Sequence, residues 1–435
     1  MYRRPQKRED LPQNIPWSED ISVLSESVAV GKKAAPNRIV YQAMEGCDGT
    51  HSGSPGELTV RRYLRFAAGG PGLIWFEATA ILPEGRANPR QMWLTEGNRD
   101  AFAALVEKIK SVCLKENGYE PLLICQLTHS GRHSKPNGFP EPLIAVNKEI
   151  FEGEKSLGAD RILSDGYLDA LPERYAASAR LAESAGFDGV DVKACHGYLL
   201  SELLSAYARE GKYGGTLENR ERLLLDSVKA VKASVGGNMT VASRFNAYDG
   251  YPYPYGLGDS GVPGVPDLTE AKKIAANLVA AGVGMLDITM GNPYYNNEVN
   301  RPTAFAKTEE PLASAMRMIN GAGEVASVCG NVPVVSTGWS FFGSLAPNVA
   351  AGCVKAGLSA MVGFGRQTFS YPDLARDIVS RDIVSQRGMK SDRLCLTCGK
   401  CTELMRAGST PGCVVYDKEV YLPLYREKVM KKGDK

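Results

Sequence analysis

Eight short apolar runs recur along the sequence, at 38–43 (RIVYQA), 72–77 (GLIWFE), 121–127 (PLLICQL), 189–192 (GVDV), 239–244 (MTVASR), 285–289 (MLDIT), 333–336 (PVVS) and 360–363 (AMVG). Each has the length of a strand, and helix-period segments lie between them, among them 98–117, 167–185, 217–235, 267–281 and 342–356. Three of these run into glycine before the next strand, at Ala185-Gly186, Ala281-Gly282 and Ala356-Gly357, as a helix C-terminus favours. Alternation of this kind means parallel strands joined by crossover helices. Eight repeats over about 330 residues predict a closed (β/α)8 barrel, the TIM-barrel class, with enlarged loops. An open dinucleotide-binding sheet would need GxGxxG between strand and helix. AGVGML at 281–286 and VGFGRQ at 362–367 both lack the third glycine.

In a parallel barrel the reactive side chains stand at the C-terminal ends of the strands. The richest such end is in GFDGVDVKACHGYLLSELLSAYAREGKYGGTLENRER, residues 186–222. Val190 and Val192 alternate there with Asp191 and Lys193, so the two charged residues share one strand face. Lys193, Cys195, His196 and Tyr198 then follow where the strand should end. A buried strand with a satisfied histidine and a core tyrosine is the plainer reading of the same residues. The longest loops, 129–160 and 247–266, each follow a strand, on the side where a barrel builds its active face. The stretch YDGYPYPYGLGDSGVPGVPD is too rich in Gly, Pro and Tyr for regular structure and suits a lid or an aromatic wall.

Fifty-one basic against forty-nine acidic residues leave a net charge of +2, which argues against a general nucleic-acid binder. No apolar run reaches the length of a membrane span. The opening MYRRPQKREDLPQNIPWSED lacks the apolar centre of a secretory signal and reads as a loose tail. Of ten cysteines, six (Cys47, Cys113, Cys125, Cys195, Cys329, Cys353) are scattered among apolar neighbours, like reduced thiols of a cytoplasmic protein. The other four crowd near the end. The expected organisation is a tail over 1–20, a barrel over 21–380 and a cysteine-rich segment over 381–435.

In barrel order, the motifs NRIVYQAM at 37–44, EATAILPEGR at 77–86, QLTHSGRHSKP at 126–136, GFDGVDVKACHGYLLSELLS at 186–205 and YGGTLENR at 213–220 resemble the Old Yellow Enzyme family of FMN-dependent oxidoreductases. Within it, the chain resembles the 2,4-dienoyl-CoA reductase-like branch that adds an iron–sulfur cluster, over residues 37 to 413. The resemblance implies an FMN across the barrel mouth. Ala43 and Met44 would line it from the first strand and Ala78 from the second, and Gln126 would bond its pyrimidine edge with both donor and acceptor. Arg244, in ASRFNAYDG, matches the family arginine near the flavin N1 region. Gly338 in STGW and Gly365 and Arg366 in GFGRQ would bind the phosphate, using backbone N–H groups and a helix start.

The resemblance also implies a reaction. In this family hydride goes to the β-carbon of an activated alkene, two side chains at the end of the fourth strand hold the substrate carbonyl, and a tyrosine protonates the α-carbon. By alignment through HGY, His196 takes the second carbonyl-binding position, Tyr198 the proton donor and Lys193 the place usually filled by histidine. Donors fixed near the growing negative charge lower the barrier by about 3 kcal/mol each. A Lys193–Asp191 ion pair is the structural alternative for Lys193. Of the third strand's loop, His129 would shape the flavin pocket, whereas His133 fits either pocket or solvated loop. Glu45 and Cys47 fall beside the flavin ring in the match.

Cys395, Cys398, Cys401 and Cys413 form C-x2-C-x2-C-x11-C. Three thiols in one turn with a distant fourth suit a [4Fe–4S] cube more than zinc, which more often takes two separated CxxC pairs. The related branch has one more residue between its second and third cysteines. The short remainder after the barrel leaves no room for the FAD and NAD domains of larger relatives. Electrons are therefore expected as hydride from NAD(P)H or singly from a ferredoxin-like or flavoprotein donor. The leading expectation is an FMN and iron–sulfur ene-reductase acting on a small α,β-unsaturated carbonyl compound, cytoplasmic, with oligomerisation left open. Two alternatives stand beside it: an amine dehydrogenase resembling trimethylamine dehydrogenase, and a zinc-stabilised barrel lyase.

Overall fold

Strands buried on both faces read as near-continuous apolar runs, and the staves of this barrel are written that way. The computed structural model describes residues 2–380, 389 and 391–432. Its barrel strands are β1 (Ile39–Tyr41), β2 (Leu73–Ala80), β3 (Leu122–Thr128), β4 (Gly189–Val192), β5 (Thr240–Tyr248), β6 (Met285–Met290), β7 (Val334–Ser336) and β8 (Met361–Phe364). All neighbours pair parallel in chain order, and β8 returns to β1 through Val362–Ile39, Gly363–Val40 and Phe364–Tyr41. The chain is a (β/α)8 barrel, with every expected strand run in place.

The outer helices, one packed after each strand, are α1 (Glu57–Ala68), α2 (Arg99–Asn117), α3 (Asp165–Ser184), α4 (Leu217–Ser234), α5 (Thr269–Ala280), α6 (Pro311–Ala326), α7 (Ala346–Lys355) and α8 (Leu374–Val379), and shorter helices such as Leu199–Leu204 sit in the loops that lead to some of them. The starts of α3 and α4 are fixed by Ser164 and Thr216, whose side chains accept from the backbone N–H of Tyr167 and Asn219. The main core lies between the outer strand faces, with Ile74, Leu123, Val190 and Leu286, and the apolar faces of these helices. Among the described residues no helix is long and apolar enough to cross a membrane.

Inside the barrel the packing is layered at the strand period of two. Val40, Trp75, Ile124, Ala242, Met285, Val335 and Met361 form an apolar layer. An antiparallel hairpin, Val28–Val30 with Lys33–Ala35, plugs the end beneath it, and Thr240 Oγ1 donates to Val30 O at 3.3 Å. Two residues further along the strands come Gln42, Gln126, Asp191, Arg244 and Asp287, all buried. This polar layer floors the barrel mouth. On β2 the pairing with β3 shifts between Phe76 and Thr79. That irregularity lets Glu77 meet Arg62 of α1 at 2.7 Å while Ala78 reaches the mouth.

The opening stretch is held rather than loose. Leu11 and Ile15 enter the main core, and the Arg4 guanidinium donates to Ser340 O, Phe341 O and Cys395 O at 2.9, 3.0 and 2.6 Å. Apolar residues scattered among charges anchor it, a pattern too sparse to register as an element. Residues 381–388, where the cysteine-rich segment was expected to begin, lie outside the described residues. Beyond them α9 (Lys400–Arg406) and α10 (Lys418–Lys428) share a small core of Leu404, Val414 and Tyr421. Asp417 ties that unit to α1 through Arg61 at 2.8 Å and through Arg65.

Candidate active site

The C-terminal ends of the strands surround a cavity of about 1140 Å³, open to solvent. Ala43 and Met44 reach it from β1, Ala78 and Gln126 from β2 and β3, and Lys193, His196 and Tyr198 from the end of β4. Arg244 on β5, Gly338 after β7, and Gly365 and Arg366 after β8 complete the ring. These eleven residues thus line one space, although they span more than three hundred positions of sequence.

The floor is an ion and hydrogen-bond layer. Asp191 accepts from Trp75 Nε1 at 2.8 Å, Gln126 Nε2 at 2.7 Å and the backbone N–H of Arg244 at 2.7 Å. Its carboxylate is thereby used up, and the Lys193–Asp191 ion pair does not form. Arg244 Nε stands 3.1 Å from Asp287 Oδ2, close enough for charge pairing but off the line of a hydrogen bond. Burial pushes the Asp287 carboxyl up to about 7, against the pull of Arg244. Gln42 and Asp287 approach each other, yet the buried amide of Gln42 is without a well-formed hydrogen bond. Gly363 keeps the space beside that amide, since a Cβ there would lie 2.0 Å from Gln42 Nε2.

At the rim, β4 gives way to a turn in which His196 (φ 64°) and Gly197 (φ 72°) are both left-handed. A histidine held in that region costs about 1–3 kcal/mol, the kind of strain that persists where surroundings force it. The turn puts Tyr198 at the head of a short helix, its hydroxyl 3.2 Å from Glu45 Oε2 and 3.1 Å from the Tyr294 hydroxyl. Lys193 Nζ lies 3.8 Å from the centre of the Tyr198 ring. Burial lowers the Lys193 pKa, partly offset by Cys195 and Glu45. Burial also drives His196 well below its ordinary value, helped by Arg244 and Lys193, so its imidazole is neutral. The Tyr198 phenol is pushed well above its usual range by burial and by the Glu45 charge.

Two expectations for loops change. His129 is not at the cavity: its ring nitrogens meet Tyr167 Oη at 3.0 Å and the Gly131 N–H at 3.1 Å, so it braces the loop after β3. His133 instead stacks on Tyr294 at 3.7 Å between ring centres. The aromatic wall comes from the loop after β6, which supplies Tyr294 and Arg301, while Tyr251 of the 247–266 loop packs to the side against Phe151 and Tyr295. The sequence GNPYYNNEVNRP at 291–302 carries that wall as a polar and aromatic stretch directly after a strand, and this is the signal by which it could have been found.

Cys395, Cys398, Cys401 and Cys413 line a second cavity, of about 370 Å³, together with Arg366 and Phe369. Cys401 borders both cavities. Among the described residues no three His, Cys, Asp or Glu side chains converge on a single-ion position.

The model of the NADH:flavin oxidoreductase / NADH oxidase family matches residues 24–382. The chain is 26% identical over 414 residues to an NADH oxidase of Thermoanaerobacter brockii, covering 93% of this chain and 58% of that protein. Among solved structures, a 2-naphthoyl-CoA reductase superposes with a TM-score of 0.74 at 20% identity, over 91% of this chain and 57% of the other. Histamine dehydrogenase from Rhizobium sp. 4-9 gives 0.70 at 20% identity, over 92% and 53%. At those identities the structural matches speak for the fold alone. The chain spans under three fifths of the length of each of these three proteins.

Proposed function

Because the chain belongs to the NADH:flavin oxidoreductase / NADH oxidase family, we propose that it is an FMN-dependent ene-reductase that reduces the C=C bond of an α,β-unsaturated carbonyl compound. The observation that carries this reading is the convergence of Lys193, His196 and Tyr198 over the floor containing Gln126 and Arg244. The residues fit the cofactor. Gln42 offers a buried amide free to bond a ring edge, and Gly363 and Gly365 leave room where a Cβ would press on Gln42 and Met44. Gly338, at φ 105°, is open to the backbone geometry of an anion-binding turn. Ala43, Met44, Ala78, Gln126 and Arg244 would hold the ring, and Gly338, Gly365 and Arg366 the phosphate. FMN bound there supplies the hydride chemistry.

The protein's own side chains do the rest. Lys193 and neutral His196 donate to the substrate carbonyl oxygen as negative charge grows on it, and Tyr198 delivers a proton to the α-carbon. Lys193 and Tyr198 are themselves buried, where a developing charge is felt more strongly than in water. Cys395, Cys398, Cys401 and Cys413 would hold an iron–sulfur cluster, which supplies single-electron transfer. Four thiols spread around a space fit a cube better than zinc, whose sulfur ligands must all lie about 2.3 Å from one point. Electrons would enter from NAD(P)H or from a reduced electron-transfer protein.

An amine dehydrogenase is the second reading, favoured by the Tyr198 and Tyr294 rings beside Glu45, a setting for an ammonium ion. Lys193 already occupies the face of Tyr198, and Arg244, Arg301 and Arg366 line the same cavity, so an incoming cation meets like charge. Anaerobic purification with flavin, iron and sulfide analysis, followed by a panel of enones, enoates and amines, decides between them. Enone or enoate reduction that drops roughly hundredfold in Tyr198→Phe is the expected outcome. Amine oxidation with no alkene reduction would replace the proposal by the second reading.

A further inference from the structure

Tyr198 has a difficulty as an acid. Its phenol is buried beside the Glu45 carboxyl group, so a phenolate left behind after proton transfer would sit in apolar surroundings, and against like charge whenever that group is ionised. The geometry supplies a way around it. Glu45 Oε2 is 3.2 Å from the Tyr198 hydroxyl, while Glu45 Oε1 is held by Asn88 Nδ2 at 3.0 Å, which fixes the carboxyl plane. The Tyr198 hydroxyl has its second neighbour in the Tyr294 hydroxyl at 3.1 Å; Tyr294 as a residue is 42% exposed, although burial of its hydroxyl raises the phenol pKa.

Resting on the ene-reductase reading, we propose that Glu45 is the proton store of the site: as Tyr198 gives its hydrogen to the substrate α-carbon, the Glu45 carboxyl hands its own to Tyr198 Oη, and Tyr294 readmits a proton from solvent. The balance closes without a phenolate. The reduced cofactor, when bound, would supply the hydride for the new bond at the β-carbon. The Tyr198 O–H bond breaks as the α-carbon C–H bond forms, the Glu45 O–H bond breaks as the Tyr198 O–H bond is remade, and Glu45 ends as carboxylate. Between turnovers a water proton passes over Tyr294 and Tyr198 back to Glu45. The acid form of Glu45 also decides where the phenol points. A carboxylate would accept the Tyr198 hydrogen and turn it away from the cavity, whereas a carboxylic acid donates to Tyr198 Oη and frees that hydrogen for substrate.

The surroundings move Glu45 toward the acid form: burial raises its pKa, and Lys193 and the hydrogen bonds from Tyr198 and Asn88 oppose the rise. The other groups facing it are Tyr198, Tyr294 and, on its own segment, Cys47, beyond which lie Asp48, Glu77 and Arg90. Among the described residues Lys193 makes no ion pair with Glu45 within 4.0 Å, and its ammonium is directed at the Tyr198 ring.

Infrared difference spectra of the full-length holoprotein, wild type against Glu45→Gln, are the direct test. A protonated carboxyl band at neutral pH that is lost in Glu45→Gln is expected; its absence at neutral pH in wild type overturns the proposal. In the kinetic arm, wild-type alkene reduction falls as pH rises through the raised Glu45 pKa. Glu45→Gln is expected to run roughly hundredfold slower and without that fall, and Glu45→Asp to restore the fall at reduced rate. An active wild type whose high-pH fall persists unchanged in Glu45→Gln removes the relay and leaves the ene-reductase reading standing. A wild type that reduces nothing in the panel removes both.

Discussion

Lys193 is where the residue types of this site say most. A histidine in its place would be neutral in such burial, as His196 is, whereas in the proposed reaction an ammonium would bring its charge to the carbonyl oxygen at the cost of its own hydration. Lys193→Met keeps the bulk and removes the charge. Steady-state kinetics should show kcat/KM for an enone lowered by roughly 10²-fold, and an unchanged value would assign Lys193 to packing. Asp287 gives a pH prediction. Its carboxyl is raised from 3.8 to about 7, so over that window the folded chain keeps a proton the unfolded chain has released, and stability falls as pH rises. Asp287→Asn escapes this. Thermal unfolding at several pH values should show the variant gaining on wild type between about pH 4 and pH 7 and levelling above. A constant difference would mean that Arg244 fully compensates the charge.

At the scale of elements, two short pieces matter more than their length suggests. The hairpin beneath the barrel turns at Gly31, with φ 60°, and a Cβ there would lie 2.8 Å from Thr240 Oγ1. Gly31→Ala should therefore lower stability by about 1–3 kcal/mol, read as a fall in Tm, with the cavity chemistry intact. The opening stretch is the other. Arg4 is the only cross-link in it that reaches both the segment after β7 and Cys395 among the described residues. Period-two alternation told which strand residues face inward, because the pleat fixes that locally. It could not foresee the shift on β2, which moves Glu77 to Arg62 and Ala78 to the cavity, because the shift is set by the pairing with β3.

For the whole molecule, cofactor loading and folding are one equilibrium. FMN at a hundred times its Kd should stabilise apoprotein by about 2.7 kcal/mol, seen as a rise in Tm on adding FMN. Gly338→Val should abolish that rise, since its φ of 105° suits glycine and a Cβ would meet Met318 Cε at 2.8 Å. The four late thiols give a separate readout. Cys401→Ser, at the border of both cavities, should lose iron and sulfide from anaerobic preparations while a zinc-bearing preparation would refute the cluster.

The order of strands and helices, the barrel class, and the residues that belong at the strand ends were legible in the chain, because hydrophobic period and glycine stops are local and the barrel turns local order into position. The sequence placed Lys193, His196 and Tyr198 within six positions of one another, and the motif did the rest. What only the folded chain decided were the partnerships across it. Asp191 is spoken for by Trp75 and Gln126 rather than Lys193, His129 braces a loop, Tyr294 builds the wall, and Glu45 meets Tyr198 across 153 positions. Such contacts are set by which strand ends the closed ring brings face to face, and no local signal records which buried carboxyl a distant phenol will find.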